Sequence, residues 1–97
     1  MMKLYVLVRK DLSRKQQSVQ AGHAIAEYLL RVPLFDWDNG TLIYLGVKDE
    51  NELISWGDKL TDKKINWIGF REPDINNQLT AISTVSDGDI FKSERLL

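Results

Sequence analysis

The pattern of apolar and polar positions divides the chain into six elements. Lys3–Arg9 (KLYVLVR) is a continuous β-branched and aliphatic run, as expected of a buried strand. Asp11-Leu12-Ser13 breaks it. Ser13 followed by Gln16 forms a capping box, in which the hydroxyl bonds the N3 amide and the glutamine reaches back. A helix is predicted from about Arg14 to Arg31, its buried face formed by Val19, Gly22, Ala26 and Leu29/Leu30 at helical spacing. Gly22 sits in mid-helix at a cost of about 1 kcal/mol relative to alanine. Close approach of another backbone would offset that cost. Pro33 ends the helix.

Phe35–Gly40 (FDWDNG) is a loop with a turn signal at Asn39-Gly40, and Thr41–Val47 is a second strand. Asp49 and Glu52 repeat the capping pattern and open a helix to about Leu60, with Leu53, Trp56 and Leu60 on one face. Asn66–Arg71 reads as a third strand, Glu72–Gln78 as a polar loop containing Pro73, and Leu79–Val85 as a fourth strand. Ser86–Asp89 turns the chain, and Ile90–Leu97 forms a last short helix or an extended cap. The order β-α-β-α-β-β makes this an α/β chain. Its two strand–helix–strand units predict parallel pairing with right-handed crossovers. The short link between the last two strands leaves room for a different pairing there.

Ninety-seven residues suffice for one domain, residues 1–97, and are too few for two. The chain has no cysteine, which removes disulfides, thiol nucleophiles and cysteine-based zinc sites and suits a reducing cytoplasm. No stretch approaches the roughly 18 apolar residues of a membrane span. The N-terminus runs straight into a strand pattern, unlike a signal peptide. Neither a membrane partner nor a cofactor is expected. Net charge is −1 but unevenly placed. Residues 1–31 carry six basic and two acidic side chains, and the remainder seven basic and twelve acidic. A basic patch can contact phosphates on a mildly acidic chain, although a solvated surface with uneven charge accounts for the same numbers.

Chemistry concentrates in VRKDLSRKQQSVQAGHAIAEYLL, where polar side chains crowd the end of the first strand and the start of the first helix. Ligands of open α/β sheets bind at such junctions. Helix N-terminal amides, with Arg9, Lys10, Arg14 and Lys15, suit an anion. His23, the sole histidine, shares a helical face with Gln20. An imidazole there can serve as a base or a hydrogen-bond donor. The competing role is a satisfied histidine that packs the helix on the sheet. One histidine without a carboxylate cluster offers too few ligands for a metal.

Val8-Arg9-Lys10-Asp11-Leu12 followed by Gln20-Ala21-Gly22-His23-Ala24 resembles the opening of the second class of peptidyl-tRNA hydrolases, the archaeal and eukaryotic type. The layout of the second half is similar. Phe70-Arg71-Glu72 looks like the segment carrying the family's acidic site residue, and Thr80-Ala81-Ile82 like the start of its last strand. The resemblance implies a three-layer α/β/α fold around a four-stranded mixed sheet with the last strand antiparallel. It also implies tRNA or peptidyl-tRNA as partner, a cytoplasmic location and pairing as a homodimer. The implied activity is cleavage of the ester joining a peptide to the terminal ribose of tRNA.

In the implied mechanism Glu72 or Asp74 activates water. Lys15, the helix amides and Thr80 stabilise the developing charge. His23 and Gln20 brace the site or hold the terminal nucleotide, and Arg9, Lys10 and Arg14 meet the tRNA backbone, with Asp11 and Gln16 beside them. The sequence departs from the family in three places. Gln16 stands where the family has a lysine, with Lys15 one residue away. Glu72 replaces an aspartate. Pro73–Asn77 is a shorter loop that lacks one of the family's threonines. Two rival readings follow from these departures. One is a module that binds tRNA or an aminoacyl ester without cleaving it, and the other is a protein-interaction domain that keeps only the fold.

Overall fold

The computed structural model describes residues 1–97. Its elements are β1 (Lys3–Arg9), α1 (Arg14–Arg31), β2 (Leu42–Val47), α2 (Glu50–Asp62), β3 (Trp67–Glu72) and β4 (Gln78–Ser86). Single 3₁₀ turns cover Pro73–Ile75 and Asp89–Phe91. Both helices start where their capping residues stand. Ser13 Oγ accepts the Gln16 N–H at 3.2 Å, and Asp49 Oδ1 accepts the Glu52 N–H at 3.0 Å. The Gln16 side chain does not reach back as a capping box would have it. Its Oε1 accepts from Gln20, and Gln17 Nε2 instead holds the loop by donating to the Leu12 carbonyl at 2.8 Å.

The four strands form one mixed sheet in the order β2-β1-β4-β3. β1 and β2 are parallel, joined through α1, and β4 is antiparallel to both β1 and β3. The second strand–helix–strand unit therefore does not pair its own strands. β3 runs in the same direction as β1 and β2 but lies at the far edge, with β4 between. Burial explains the exchange. Every residue from Leu79 to Ser86 is buried, whereas β3 is only partly buried and suits an edge.

The strand period of two sorts the core into two layers. Tyr5 and Leu7 pack with Leu53, Trp56 and Leu60 of α2. Leu4, Val6 and Val8 face α1, against Ala21, Ala24 and Tyr28. The helices thus cover opposite faces of the sheet, giving three layers, α/β/α. No helix is long and apolar enough to cross a membrane. The tail closes the β2 edge. Phe91 packs on Tyr5 and Trp56, and Leu96 bridges Leu45 through backbone bonds from Gly46 to Arg95 and from Leu97 to Tyr44. Gly88 permits the turn into this segment. Its φ is +91°, and a Cβ there would lie 1.9 Å from the Tyr5 hydroxyl.

The buried face of α1 differs from the expected one. Gln20, Ala21, Ala24 and Tyr28 face the sheet, while Val19, Gly22, Ala26, Leu29 and Leu30 face outward. Apolar residues occupy both sides of this helix, so periodicity alone does not say which side the sheet covers. Small residues at 21 and 24 let α1 sit close to the strands, and Gln20 is buried by polar contacts.

One irregularity in the sheet shapes the site. Along the β3–β4 ladder Phe70 pairs with Ala81 and Arg71 with Leu79, leaving Thr80 as an extra residue. Such a bulge bends a strand and re-aims a side chain. Here Thr80 and Ala81 both point toward α1. The disturbed backbone of Leu79 is held by side chains. Glu50 Oε2 accepts its N–H at 2.7 Å, and Arg9 Nη1 donates to its carbonyl at 3.1 Å. Glu50→Ala is expected to leave this buried N–H unpaired, lowering stability by about 1–3 kcal/mol and speeding hydrogen exchange at Leu79. Glu50→Gln, which keeps an acceptor, restores most of both. Unaltered exchange at Leu79 in Glu50→Ala would show that the clamp does not hold the bulge.

Candidate active-site cleft

A cleft of about 170 Å³ opens where the end of β1, the first turns of α1 and the β3–β4 connection meet, lined by Leu12, Gln16, Gln20, Glu72, Asp74 and Ile75. The Gln20 amide is its centre. Gln20 is 1% exposed and would be costly to bury unpaired. Its Oε1 accepts from Thr80 Oγ1 at 2.8 Å. Its Nε2 donates to Glu72 Oε1 at 2.8 Å and to Gln16 Oε1 at 3.1 Å. These bonds use both amide protons and fix which way the amide points. Thr80, fully buried, also lies within 3.1 Å of the Phe70 carbonyl, so its single proton has two acceptors in reach. Glu72 is fixed at both oxygens, the second accepting the Asp74 N–H at the start of the 3₁₀ turn. The Asp74 carboxylate, exposed on the rim, makes no bond within the chain.

Five of the eleven residues singled out in the sequence therefore converge: Gln16, Gln20, Glu72, Asp74 and Thr80. His23 lies one turn along α1, on the same side as Gln20. Its exposed ring stacks on Phe70, with centroids 4.4 Å apart and planes 9° apart. Through the Phe70–Thr80 contact this stack adjoins the Gln20 network. Lys15 does not line the cleft. It is exposed and projects about 100° around the helix from Gln16. Arg14 and Lys10 are also exposed, and Lys10 borders a separate groove with Lys48, Glu94 and Arg95.

Arg9 is placed for bracing rather than for contact with a ligand. It is 7% exposed, and its fork grips both oxygens of Asp11 (2.9 and 2.8 Å) while Nη1 donates to Gln78 Oε1 and to the Leu79 carbonyl. The same pairing commits Asp11. Hydrogen bonds from Arg9 hold the Asp11 carboxyl below the ordinary carboxylate value, and the pair raises Arg9 in turn. Leu12, Ile75 and Phe70 contribute to the site but had no role from sequence. The only hint was that Phe70 precedes Arg71-Glu72 on the third strand. The three tryptophans spend their N–H groups inside the chain, on Thr41, Glu94 and Thr61. No three His, Asp or Glu side chains cluster in a way that could hold a metal ion.

No family model matches the chain, and no curated protein matches it. Among solved structures, a protein of unknown function from Agrobacterium tumefaciens strain C58 is similar, with a TM-score of 0.75 over 99% of this chain and 97% of that one. The two share 13% sequence identity, so the likeness shows a common fold and nothing of the activity.

The Arg9–Asp11 pair has a defined pH dependence. Because the folded-state value of Asp11 is lowered, the stability it contributes is fully present above the unfolded carboxylate value of about 4. That contribution is lost as pH falls through the lower folded value. Unfolding midpoints of the wild type and Asp11→Asn, measured between roughly pH 2 and 7, should differ above about pH 4 and converge in acid. A gap that stays constant into acid would dissociate the ion pair from stability.

Proposed function

We propose that the protein is a divergent relative of the second class of peptidyl-tRNA hydrolases and cleaves the ester of peptidyl-tRNA, or of N-blocked aminoacyl-tRNA, in the cytoplasm. The observation that carries the reading is the Thr80–Gln20–Glu72 chain of hydrogen bonds. It orients one carboxylate, with a second at Asp74, in a small cleft beside a helix N-terminus.

Hydrolysis needs a base for water and donors for the carbonyl oxygen. Asp74, unbonded on the rim, takes the proton from water as its oxygen attacks the ester carbon. Glu72, held from two sides, orients that water. The carbon–oxygen bond to ribose then breaks, and the ribose oxygen takes up the proton. Thr80 acts as a positioning residue because it is buried behind Gln20. The exposed ring of His23 on Phe70 offers a face on which the terminal base stacks. Lys10, Arg14 and Lys15 supply charge for the acceptor-stem phosphates, while Arg9 and Asp11 serve the scaffold.

A second reading, a module that binds the acylated end of tRNA without cleaving it, is favoured by one specific feature. Gln16 rather than a cation lines the cleft, and Lys15 projects elsewhere. Single-turnover release of peptide from peptidyl-tRNA separates the two. The hydrolase reading expects slow release by the wild type, reduced about 100-fold or more in Asp74→Asn or Glu72→Gln, and raised at least about tenfold by Gln16→Lys through a new cation for the oxyanion. Absence of release from both the wild type and Gln16→Lys, with binding that weakens steeply in salt, supports the binding module. No binding even at low salt removes both readings.

A further inference from the structure

The two edges of the sheet are finished differently. On β2 the tail takes the outward backbone groups: the Gly46 N–H donates to the Arg95 carbonyl, and the Leu97 N–H to the Tyr44 carbonyl. β3 pairs with β4 alone, and no strand or tail lies on its other side. Three bonds fix which of its backbone groups are open. The carbonyls of Asn66, Phe70 and Glu72 point toward β4, where they accept from Thr84 Oγ1 at 2.6 Å, Thr80 Oγ1 at 3.1 Å and the Asn77 N–H at 3.0 Å. Along an antiparallel strand these directions alternate. The N–H and C=O groups of Trp67, Gly69 and Arg71 therefore point away from β4, along an edge with no proline to blunt it.

A groove of about 340 Å³ lies beside this edge, between β3 and α1. Ile68 and Phe70 turn their side chains to it, and Glu27 and Arg31 of α1 form its wall, their charges spent on each other. β3 ends on Glu72, which also lines the active-site cleft, so the open edge runs directly into the cleft.

We propose that this edge is a docking strand for an extended peptide, which adds parallel to β3 as a fifth strand with its carboxyl end at Glu72. The choice of occupant rests on the hydrolase reading: it is the peptidyl part of the substrate, whose last carboxyl carbon is the ester carbon in the cleft. Strand direction supports this. β3 runs toward the cleft, so parallel addition delivers a carboxyl end there, whereas antiparallel addition would deliver an amino end. At about 3.3 Å per residue the strand holds a peptide of roughly four residues beyond the ester. Alternate side chains of that peptide fall into the groove beside Ile68 and Phe70. Main-chain bonds supply the recognition, which makes it largely indifferent to peptide sequence. A single aminoacyl group is too short to pair along the edge. The strand therefore favours peptidyl over aminoacyl esters.

Release from tRNA esters carrying from one N-acetylated residue to about four tests the proposal. The ratio kcat/KM should rise about tenfold or more with length and then level off. N-methylation of alternate peptide nitrogens should abolish the gain in one phase and spare it in the other, because only every second residue of an added strand faces β3. Arg71→Pro, which removes an outward N–H at a position where an edge strand tolerates proline, should lose the length dependence, while Arg71→Ala retains it. Gly69 is unsuitable for this purpose, since a Cβ there would lie 2.6 Å from Leu79. Binding is read separately by amide NMR with N-acetyl-tetraalanine amide at millimolar concentration. The Trp67, Gly69 and Arg71 amides should shift and exchange more slowly, and those of Ile68 and Phe70 should not. Release that ignores length, equal losses in both N-methyl phases, or unmoved Trp67, Gly69 and Arg71 amides would overturn the docking strand and leave the hydrolase reading intact. Shifts at these amides with no release from any ester would uphold strand addition and remove the hydrolase. Shifts that appear on concentrating the protein without peptide would assign the edge to a second copy and overturn the proposal.

Discussion

The extra residue at Thr80 is the constraint on which the rest of the site depends. A regular ladder would send Thr80 to the α2 side of the sheet and leave the buried Gln20 carbonyl without the hydroxyl donor it has here. With the bulge, Thr80 turns to α1 and satisfies Gln20, which in turn holds Glu72. At the bulge the Leu79 N–H and carbonyl are also held by side chains. Arg9 comes from the end of β1 and Glu50 from the first turn of α2. A buried charge is tolerable only when paired, and Arg9 meets that condition through Asp11, Gln78 and the Leu79 carbonyl. The scaffold and the cleft are therefore one polar network that reaches through the sheet.

This arrangement separates residues that adjoin in sequence. Arg9, Lys10 and Asp11 form one motif on the chain, yet Arg9 and Asp11 are spent on each other while Lys10 stands at the surface. Lys15 and Gln16 are consecutive, yet only Gln16 reaches the cleft. The cleft is left rich in carboxylate and amide groups and poor in cations, which bears directly on how well it could stabilise an oxyanion.

Helix α1 serves two surfaces. Its sheet side is built from Ala21, Ala24, Gln20 and Tyr28, and its solvent side carries the larger aliphatic residues Val19, Leu29 and Leu30. That is the reverse of the usual amphipathic rule, by which the more apolar side faces the core. The inversion follows from distance. Close packing on the strands leaves room only for alanine at 21 and 24, so the aliphatic bulk of the helix sits outside.

Local chemistry made the elements legible. The capping residues Ser13 and Asp49 stand where the helices begin, and Lys3–Arg9 and Arg14–Arg31 match the predicted bounds. These features depend on backbone amides a few residues away, which a linear pattern records. Gln16 and Gln20 of the β1–α1 junction also meet in one cleft, joined there by Glu72, Asp74 and Thr80, residues that only the family resemblance singled out. Other features rest on contacts between residues 52 to 70 positions apart: the amide that joins Thr80 to Glu72, and the grip of Arg9 on Leu79. The insertion of β4 between β1 and β3, and the side of α1 that meets the sheet, are likewise set by which surfaces pack. By itself, then, the sequence of Arg9–Ala24 determined where the junction lies. Tertiary packing decided which of its side chains face the cleft, the scaffold or the solvent, because a hydrogen bond between distant segments leaves no periodic trace in either.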